Sequence, residues 1–221
     1  MPAGVTVVLI DLHTHTYPLS HDSLLSPDDL IEAAKEAGLD GVCLTEHDFF
    51  WERDKAADLA RRHDFLVIPG IEVNTEDGHV LVFGLERFVY GMHRMTELAG
   101  LVKSAGGAMV AAHPYRRQLP FELRADGDWS NALDQAAANP AYCHMQAMEA
   151  HNGRGSAREN DFSRDLCRRL GLCEVAASDA HDRRDVGRCA TEFERRIEGL
   201  ADLIEELKGG RFSPIVAQEL P

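Results

Sequence analysis

The chain has 221 residues, of which 44% are hydrophobic and 27% are charged, and its formal net charge is −14 at pH 7. This length suits a single domain, residues 1–221, with a sizeable core, and the composition is that of a soluble globular protein. The negative charge argues against stable binding of long nucleic acid or of an anionic membrane surface. No apolar run reaches the roughly 20 residues of a membrane span. No signal peptide is recognised, and the five cysteines lack CxxC spacing, so we expect a cytoplasmic protein.

Strand-like and helix-like segments alternate along the chain. The predicted strands cover residues 5–10, 41–45, 65–68, 79–83, 108–112, 145–148 and 174–177. The predicted helices cover 28–37, 51–62, 92–104, 131–138, 157–170 and 200–207. Ser26-Pro27 before the first helix is a typical start, and Gly171 after the fifth is a typical stop. Repeated βα units predict a parallel sheet or barrel with the helices outside.

Histidines and carboxylates follow six of the apolar runs directly. These polar clusters are Asp11-Leu12-His13-Thr14-His15, Glu46-His47-Asp48, Glu72, His113-Pro114-Tyr115, Glu149 and Asp179-Ala180-His181. The carboxyl ends of parallel strands meet at one edge of a sheet or barrel, and active sites form there. Because imidazoles and carboxylates are ligands for first-row metals, the pattern predicts a multinuclear metal centre.

Two of the clusters have a spacing that suits metal binding. Residues i and i+2 of a strand point to the same face, so His13 and His15 can reach one ion, and Asp179 and His181 repeat this spacing. Asp11 is placed to orient one of the first two rings.

The remaining candidates differ in how well their positions fit. Glu72 is suited to bridge two ions, and Pro114 can direct His113 into the site by ending the strand. His79 begins a strand instead of ending one, so its position fits least well. His21 lies in a loop, beside an Asp22 that is either a helper or a turn residue. Glu149 and Asn152 are expected to support the ligands, whereas ordinary structural roles are expected for His63, His93 and His144.

The order Asp-Leu-His-Thr-His, Glu-His-Asp, Gly-Ile-Glu-Val, His-Pro, Ser-Asp-Ala-His resembles the PHP (polymerase and histidinol phosphatase) domain family. The resemblance runs from Asp11 to about Gly187. It implies an α/β fold, namely a distorted (β/α)7 TIM-like barrel in a single domain. It also implies two or three divalent ions of zinc, manganese or iron, and phosphoesterase activity.

The resemblance also implies a set of site residues. The first ion would be held by His13, His15, Glu72 and Asp179, the second by Glu72, His79 and His113, and the third by His21, His47 and His181. Glu72, Asp179 and His181 are the expected catalytic residues. Arg116, Arg117 and Arg154 lie just beyond strand-end clusters, and Arg116 and Arg154 are the predicted phosphate-binding residues.

The favoured function is hydrolysis of a phosphate ester of a small metabolite or nucleotide by a metal-bound hydroxide at a di- or trinuclear centre. One alternative is an amidohydrolase-like, metal-dependent C–N bond hydrolase. That chemistry usually needs a lysine at a strand end, but Lys35 and Lys55, the nearest ones, fall in predicted helices. The other alternative is a non-catalytic module that metal ions stabilise. Such a module is expected to have lost some of the ligands, whereas this sequence retains the full set.

Overall fold

The protein is represented by a computed structural model that describes residues 7–116, 118–119 and 126–216, without the side chains of 126 and 127. Arg117, one of the arginines considered above, lies outside these residues. The strands are β1 Val8–Thr14, β2 Gly41–Leu44, β3 Leu66–Pro69, β4 Ile71–Thr75, β5 Gly78–Phe83, β6 Ala108–Ala111, β7 Ala147–Asn152, β8 Cys173–Ala177, β9 Cys189–Phe193 and β10 Phe212–Val216. The helices are α1 Pro27–Glu36, α2 Arg53–His63, α3 Met95–Ser104, α4 Asp126–Ala137, α5 Ala157–Leu170 and α6 Leu200–Gly209, with a short 3₁₀ helix at Pro140–His144.

The strands form two five-stranded mixed sheets, in the orders β10-β9-β1-β2-β3 and β4-β5-β6-β7-β8. The predicted mixed α/β class is confirmed. The closed (β/α)7 barrel is not confirmed, because the described strands make two sheets and several of them are antiparallel. β5 pairs antiparallel with both β4 and β6, and β9 pairs antiparallel with both β1 and β10. No helix separates β4 from β5, so the chain does not follow strict βα alternation there.

The two sheets approach each other along two seams. At one seam the Gly70 amide donates to Leu44 O at 2.9 Å, and the Glu72 amide donates to Glu46 O at 3.1 Å. At the other, the His15 amide donates to Ala180 O at 3.0 Å. Gly70 is required at the first seam, since a Cβ atom there would lie 2.8 Å from the Phe83 ring. The first seam brings the end of β2 close to the start of β4, and the second brings the end of β1 close to the end of β8.

The apolar core has an inner part and two outer parts. The inner cluster lies between the two sheets and includes Ile10, Ile68, Phe83, Val110 and Phe193, together with Leu203 and Leu207 of α6. The outer clusters pack α1 and α2 against the first sheet, and α3, α4 and α5 against the second. α1 to α5 therefore lie outside the strands, as predicted, whereas α6 packs against the inner cluster, and the strand ends are left free to carry polar groups. No helix among the described residues has both the length and the apolar character to cross a bilayer.

Candidate metal centre

The polar clusters predicted from the sequence converge in space. Imidazoles and carboxylates from the ends of β1, β2, β6 and β8 meet at one edge of the two sheets. The described residues include four groups able to hold a metal ion: His13-His15-Glu72, His13-His113-Asp179, Glu72-His79-His113 and His15-His47-His181.

His79, the candidate whose position fitted least well in the sequence, lies inside this centre. Because β5 runs antiparallel to β6, its first residues lie beside the end of β6, and the Ala112 amide donates to His79 O at 3.1 Å. The beginning of β5 is therefore at the same edge as the carboxyl ends of its neighbours.

In the centre, one atom from each of four side chains faces the other three. His13 Nε2 lies 3.5 Å from Glu72 Oε2 and 3.7 Å from Asp179 Oδ1. His15 Nε2 lies 3.5 Å and 3.4 Å from the same two oxygens. A tetrahedral ion with ligands at 2.0–2.2 Å separates those ligands by about 3.3–3.6 Å. These four atoms therefore have the spacing of ligands around one ion.

The same four atoms have no hydrogen-bond partner among the described residues. His13 Nε2, His15 Nε2, Glu72 Oε2 and Asp179 Oδ1 are all buried without a hydrogen bond of acceptable geometry, although Glu72 Oε2 also lies 2.6 Å from His47 Nδ1. Leaving such an atom unpaired costs about 1–3 kcal/mol, so four of them in one place are a large penalty. A divalent cation bound between them would satisfy all four at once, and their donor types fit zinc, manganese or iron.

Glu72 connects this group to a second one through its other oxygen. Glu72 Oε1 lies 2.7 Å from His79 Nδ1 and 2.9 Å from His113 Nε2. The carboxylate thus offers one oxygen to each group, which is the geometry of a bridging ligand. It is 1% exposed.

A third group, made by His15, His47 and His181, lies nearer the surface. His47 Nε2 and His181 Nε2 are 3.4 Å apart. Asp22 Oδ2 lies 3.3 Å from each of them, completing a nearly equilateral triangle. His21 was predicted as the third member, but its side chain is exposed and belongs to none of the metal-binding groups of the described residues. The neighbouring Asp22, although mostly exposed itself, lies beside His47 and His181 instead.

Glu149 and Asn152 support the ligands, as their positions indicated. Glu149 is fully buried, and its Oε1 accepts from His13 Nδ1 at 2.7 Å. Its Oε2 accepts from the His113 amide at 2.7 Å and from Asn152 Nδ2 at 3.1 Å. Because Nδ1 is bonded to Glu149, the opposite ring nitrogen, Nε2, faces Glu72 and Asp179, so Glu149 orients the His13 ring in the centre.

Asp11 does not orient a ring, which differs from the sequence prediction. Its Oδ1 accepts from the His13 amide at 3.2 Å and from the Ser178 amide at 3.0 Å. It therefore ties β1 to the segment that carries Asp179. Burial raises the pKa of this carboxyl to about 7.

Three residues of the site region have left-handed backbone angles that only glycine adopts without cost. φ is 51° at Asp48, 27° at His113 and 55° at Asp179. Such conformations cost about 1–3 kcal/mol each and persist where the surroundings enforce them. At His113 and Asp179 the strained backbone redirects the chain immediately after β6 and β8, where the side chains must turn inward.

The charges of the centre stabilise one another. Burial opposes ionisation of Glu72 and Asp179, but the surrounding histidines outweigh it and hold the pKa of both carboxyls below its usual value. Burial also opposes a charge on His13, yet Glu149, Asp179 and Glu72 raise its pKa well above the usual value. Burial lowers the pKa of His15 to about 3, so this ring is neutral at physiological pH.

Arg116 and Arg154 both reach into the centre from loops that follow β6 and β7. Arg116 Nη2 donates to Asp179 Oδ2 at 2.6 Å, and its Nη1 lies 3.0 Å from His113 Nε2. Arg154 Nη1 lies 2.8 Å from His181 Nδ1. Both guanidiniums are partly exposed, at 37% and 40%, so a bound anion can reach them.

Comparison with solved structures shows that several proteins share this fold. PsfC from Pseudomonas syringae PB-5123 superposes with a TM-score of 0.64 and 21% identity, covering 95% of this chain and 91% of that one. A Bifidobacterium adolescentis protein named as a metal-dependent phosphoesterase gives 0.56 and 18%, covering 78% and 87%. An amidohydrolase from Chromobacterium violaceum, solved with sulfate and no metal, gives 0.59 and 18%, covering 94% and 98%. At these identities the likeness extends to the fold.

Sequence comparison identifies the family. An uncharacterized protein of Methanocaldococcus jannaschii, MJ1587, is 26% identical over 117 residues, which are 48% of this chain and 67% of that protein. The PHP domain model matches residues 11–136, and the PHP-associated model matches residues 157–212. The match to the PHP domain model spans more than half of the chain and contains most of the converging histidines and carboxylates. The chain therefore belongs to the PHP domain family.

Proposed function

We propose that this protein is a metal-dependent hydrolase of phosphate esters that acts on a small phosphorylated substrate, such as a metabolite or a nucleotide. One observation carries the proposal. Four buried, unpaired ligand atoms, from His13, His15, Glu72 and Asp179, lie next to two partly exposed guanidiniums. The first set suits a cation and the second suits an anion, and a phosphate ester hydrolysed by metal ions needs both.

The proposed ligand sets follow the three groups. His13, His15, Glu72 and Asp179 would hold one ion, and Glu72, His79 and His113 a second. His47, His181 and Asp22 would hold a third, with Asp22 in the place first given to His21. When bound, zinc, manganese or iron ions supply Lewis acidity for the phosphoryl oxygens and lower the pKa of water.

The chain's own residues have distinct tasks in this proposal. Arg116 and Arg154 bind the phosphate and orient it, since a planar guanidinium can donate two parallel hydrogen bonds to phosphate oxygens. Glu72 and Asp179 remain ionised because the neighbouring histidines hold their pKa values low. His181 Nδ1 lies 2.8 Å from both Asp179 O and Arg154 Nη1, and its Nε2 faces His47 and Asp22.

The arrangement favours ester hydrolysis over C–N bond hydrolysis. All lysines of the chain lie in helices, away from the strand ends: Lys35 in α1, Lys55 in α2, Lys103 in α3 and Lys208 in α6. A lysine or modified lysine that could bridge two ions is therefore missing from the centre, and Glu72 occupies that role. The negative net charge favours a small substrate over a long nucleic acid.

The test compares phosphate and amide substrates on the same metal-loaded protein. We expect release of nitrophenol from an aryl phosphate and no cleavage of the matching nitroanilide. His13→Ala and Asp179→Ala should each abolish turnover, whereas His63→Ala should not, because His63, at the end of α2, is paired with Asp28 of α1 and belongs to none of the metal-binding groups. Cleavage of the amide alone, or activity that survives both site variants, would overturn the proposal.

A further inference from the structure

Glu46 is a fully buried carboxylate at the end of β2 that contributes to none of the metal-binding groups described above. Its Oε2 accepts from the Thr16 amide at 2.8 Å and from the Ser20 hydroxyl at 2.6 Å. Its Oε1 accepts from the Thr16 hydroxyl and from the indole N–H of Trp51 at 3.0 Å. Four donors occupy the two oxygens, so Glu46 has no capacity left for a metal ion.

The Ser20 hydroxyl links this carboxylate to a ligand of the first ion. Ser20 Oγ lies 3.2 Å from His15 Nδ1 and 3.3 Å from the His47 amide nitrogen. A serine hydroxyl has one proton to donate and two lone pairs to accept with. Its proton goes to Glu46 at 2.6 Å, because an ionised carboxylate can only accept. Both lone pairs are then left for the His47 amide and for His15.

This count determines which nitrogen of His15 carries the proton. Ser20 has no second proton to offer, so His15 Nδ1 must be the donor. The neutral ring then has its lone pair on Nε2, the buried and unpaired atom that faces Glu72 and Asp179. We infer that Glu46 and Ser20 are positioning residues, which act through hydrogen bonds to keep His15 in the tautomer that binds metal.

His13 in β1 and His15 just after it are therefore oriented in different ways. His13 donates directly to the carboxylate of Glu149 at 2.7 Å, whereas His15 donates to a neutral hydroxyl that a buried carboxylate holds in place. A directly attached carboxylate raises the pKa of the ring, as it does for His13. The hydroxyl directs the proton of His15 without placing another charge against the ring.

The inference rests on the proposed metal centre, and its test has one readout that needs no metal. In metal-free protein labelled with ¹⁵N-histidine, the ring-nitrogen shifts report the tautomer of His15, assigned with a His15→Gln variant. Competition with a chelator then measures the affinity for Zn²⁺. The variants are Ser20→Ala, which removes the acceptor, and Glu46→Gln, whose amide N–H can force the Ser20 proton towards His15. Ser20→Thr restores the hydroxyl, and Trp51→Phe removes a different bond to Glu46.

We expect wild-type His15 to be protonated on Nδ1, and Ser20→Ala and Glu46→Gln to shift that population towards Nε2–H. Both variants should bind Zn²⁺ about 10–100-fold more weakly, the usual effect of losing a partner that orients a ligand. Ser20→Thr should recover the affinity, and Trp51→Phe should lower thermal stability while keeping the tautomer. An Nε2–H ring in the wild-type protein, or an unchanged tautomer in both Ser20→Ala and Glu46→Gln, would overturn the inference. Wild-type protein that binds no Zn²⁺ would instead contradict the proposed function, and the tautomer alone would then decide the inference.

Discussion

Asp22 Oδ2 lies 3.3 Å from His181 Nε2, although the two residues are far apart in the sequence and Asp22 is mostly exposed. The same oxygen lies 3.3 Å from His47 Nε2. The loop after β1 thus supplies the outermost group of the centre with a carboxylate, and the adjacent His21 faces solvent. Because Asp22 and not His21 lies beside His47 and His181, the third group has a carboxylate where a further imidazole was expected.

Asp22→Asn is therefore expected to remove one metal ion per chain and leave the inner two. The amide is a much weaker ligand than the carboxylate, and the remaining pair of histidines makes an incomplete site. His21→Asn is the matched control, since it changes the neighbouring residue of the same loop. Metal content after equilibrium dialysis against a limiting metal buffer measures the difference. Loss of an ion in His21→Asn and not in Asp22→Asn would restore the original assignment.

Glu149→Gln should weaken metal binding about 10–100-fold, because the amide can donate to His13 Nδ1 and stabilise the wrong tautomer. The variant also disturbs the bond from the His113 amide at 2.7 Å, so two ligands lose their orientation together. Glu159→Gln is a suitable control, since Glu159 caps α5 at the surface. Chelator competition gives the affinities. Equal affinities for the two variants would mean that Glu149 serves packing alone.

Arg154→Gln should raise the inhibition constant of inorganic phosphate about 10–100-fold. This change corresponds to the loss of one hydrogen bond to a charged group, which is worth about 1.5–3 kcal/mol. Arg116→Gln should have a similar effect, and both variants should keep their metal content. Arg164→Gln is the control, because Arg164 pairs with Asp161 on the outer face of α5. If phosphate inhibits all three variants as it does the wild type, the two guanidiniums do not bind the substrate.

Asp11 gives a prediction about pH and stability. Burial raises its pKa from 3.8 to about 7, so between these values the folded state keeps a proton that the unfolded state releases. Stability therefore falls as pH rises through this range, by about 1.4 kcal/mol per pH unit from this group. In metal-free protein, the free energy of unfolding of the wild type should fall relative to that of Asp11→Asn from pH 5 to pH 7. Urea unfolding at several pH values measures both, and parallel curves would contradict the assignment.

The elements predicted best from the sequence are those whose ends are set by neighbouring residues. α5 begins and ends where it was expected, because Ser156 and Glu159 form a capping box and Gly171 adopts a φ of 67°. β9 and β10 were missed, since they are short antiparallel strands whose partners are distant in the chain. The separate strand β4 was also missed, because a single glycine divides β3 from it.

The sequence predicted which histidines and carboxylates come together better than it predicted the residues that hydrogen-bond to them. The i, i+2 spacing of His13 and His15 at the end of β1 could be recognised directly. The choice between His21 and Asp22 depends on how a loop folds, and no local pattern reports that. Likewise, the tasks of Ser20 and Glu46 arise only when hydrogen bonds are counted between segments far apart in the sequence.

The metal content of protein purified without chelator tests the central claim most directly. Elemental analysis of the wild type should find two or three equivalents of zinc, manganese or iron per chain. His13→Ala, which removes a ligand with an unpaired buried nitrogen, should retain fewer ions under the same conditions. A wild-type protein with less than one equivalent that also fails to take up these metals on dialysis would contradict the multinuclear centre and the function proposed for it.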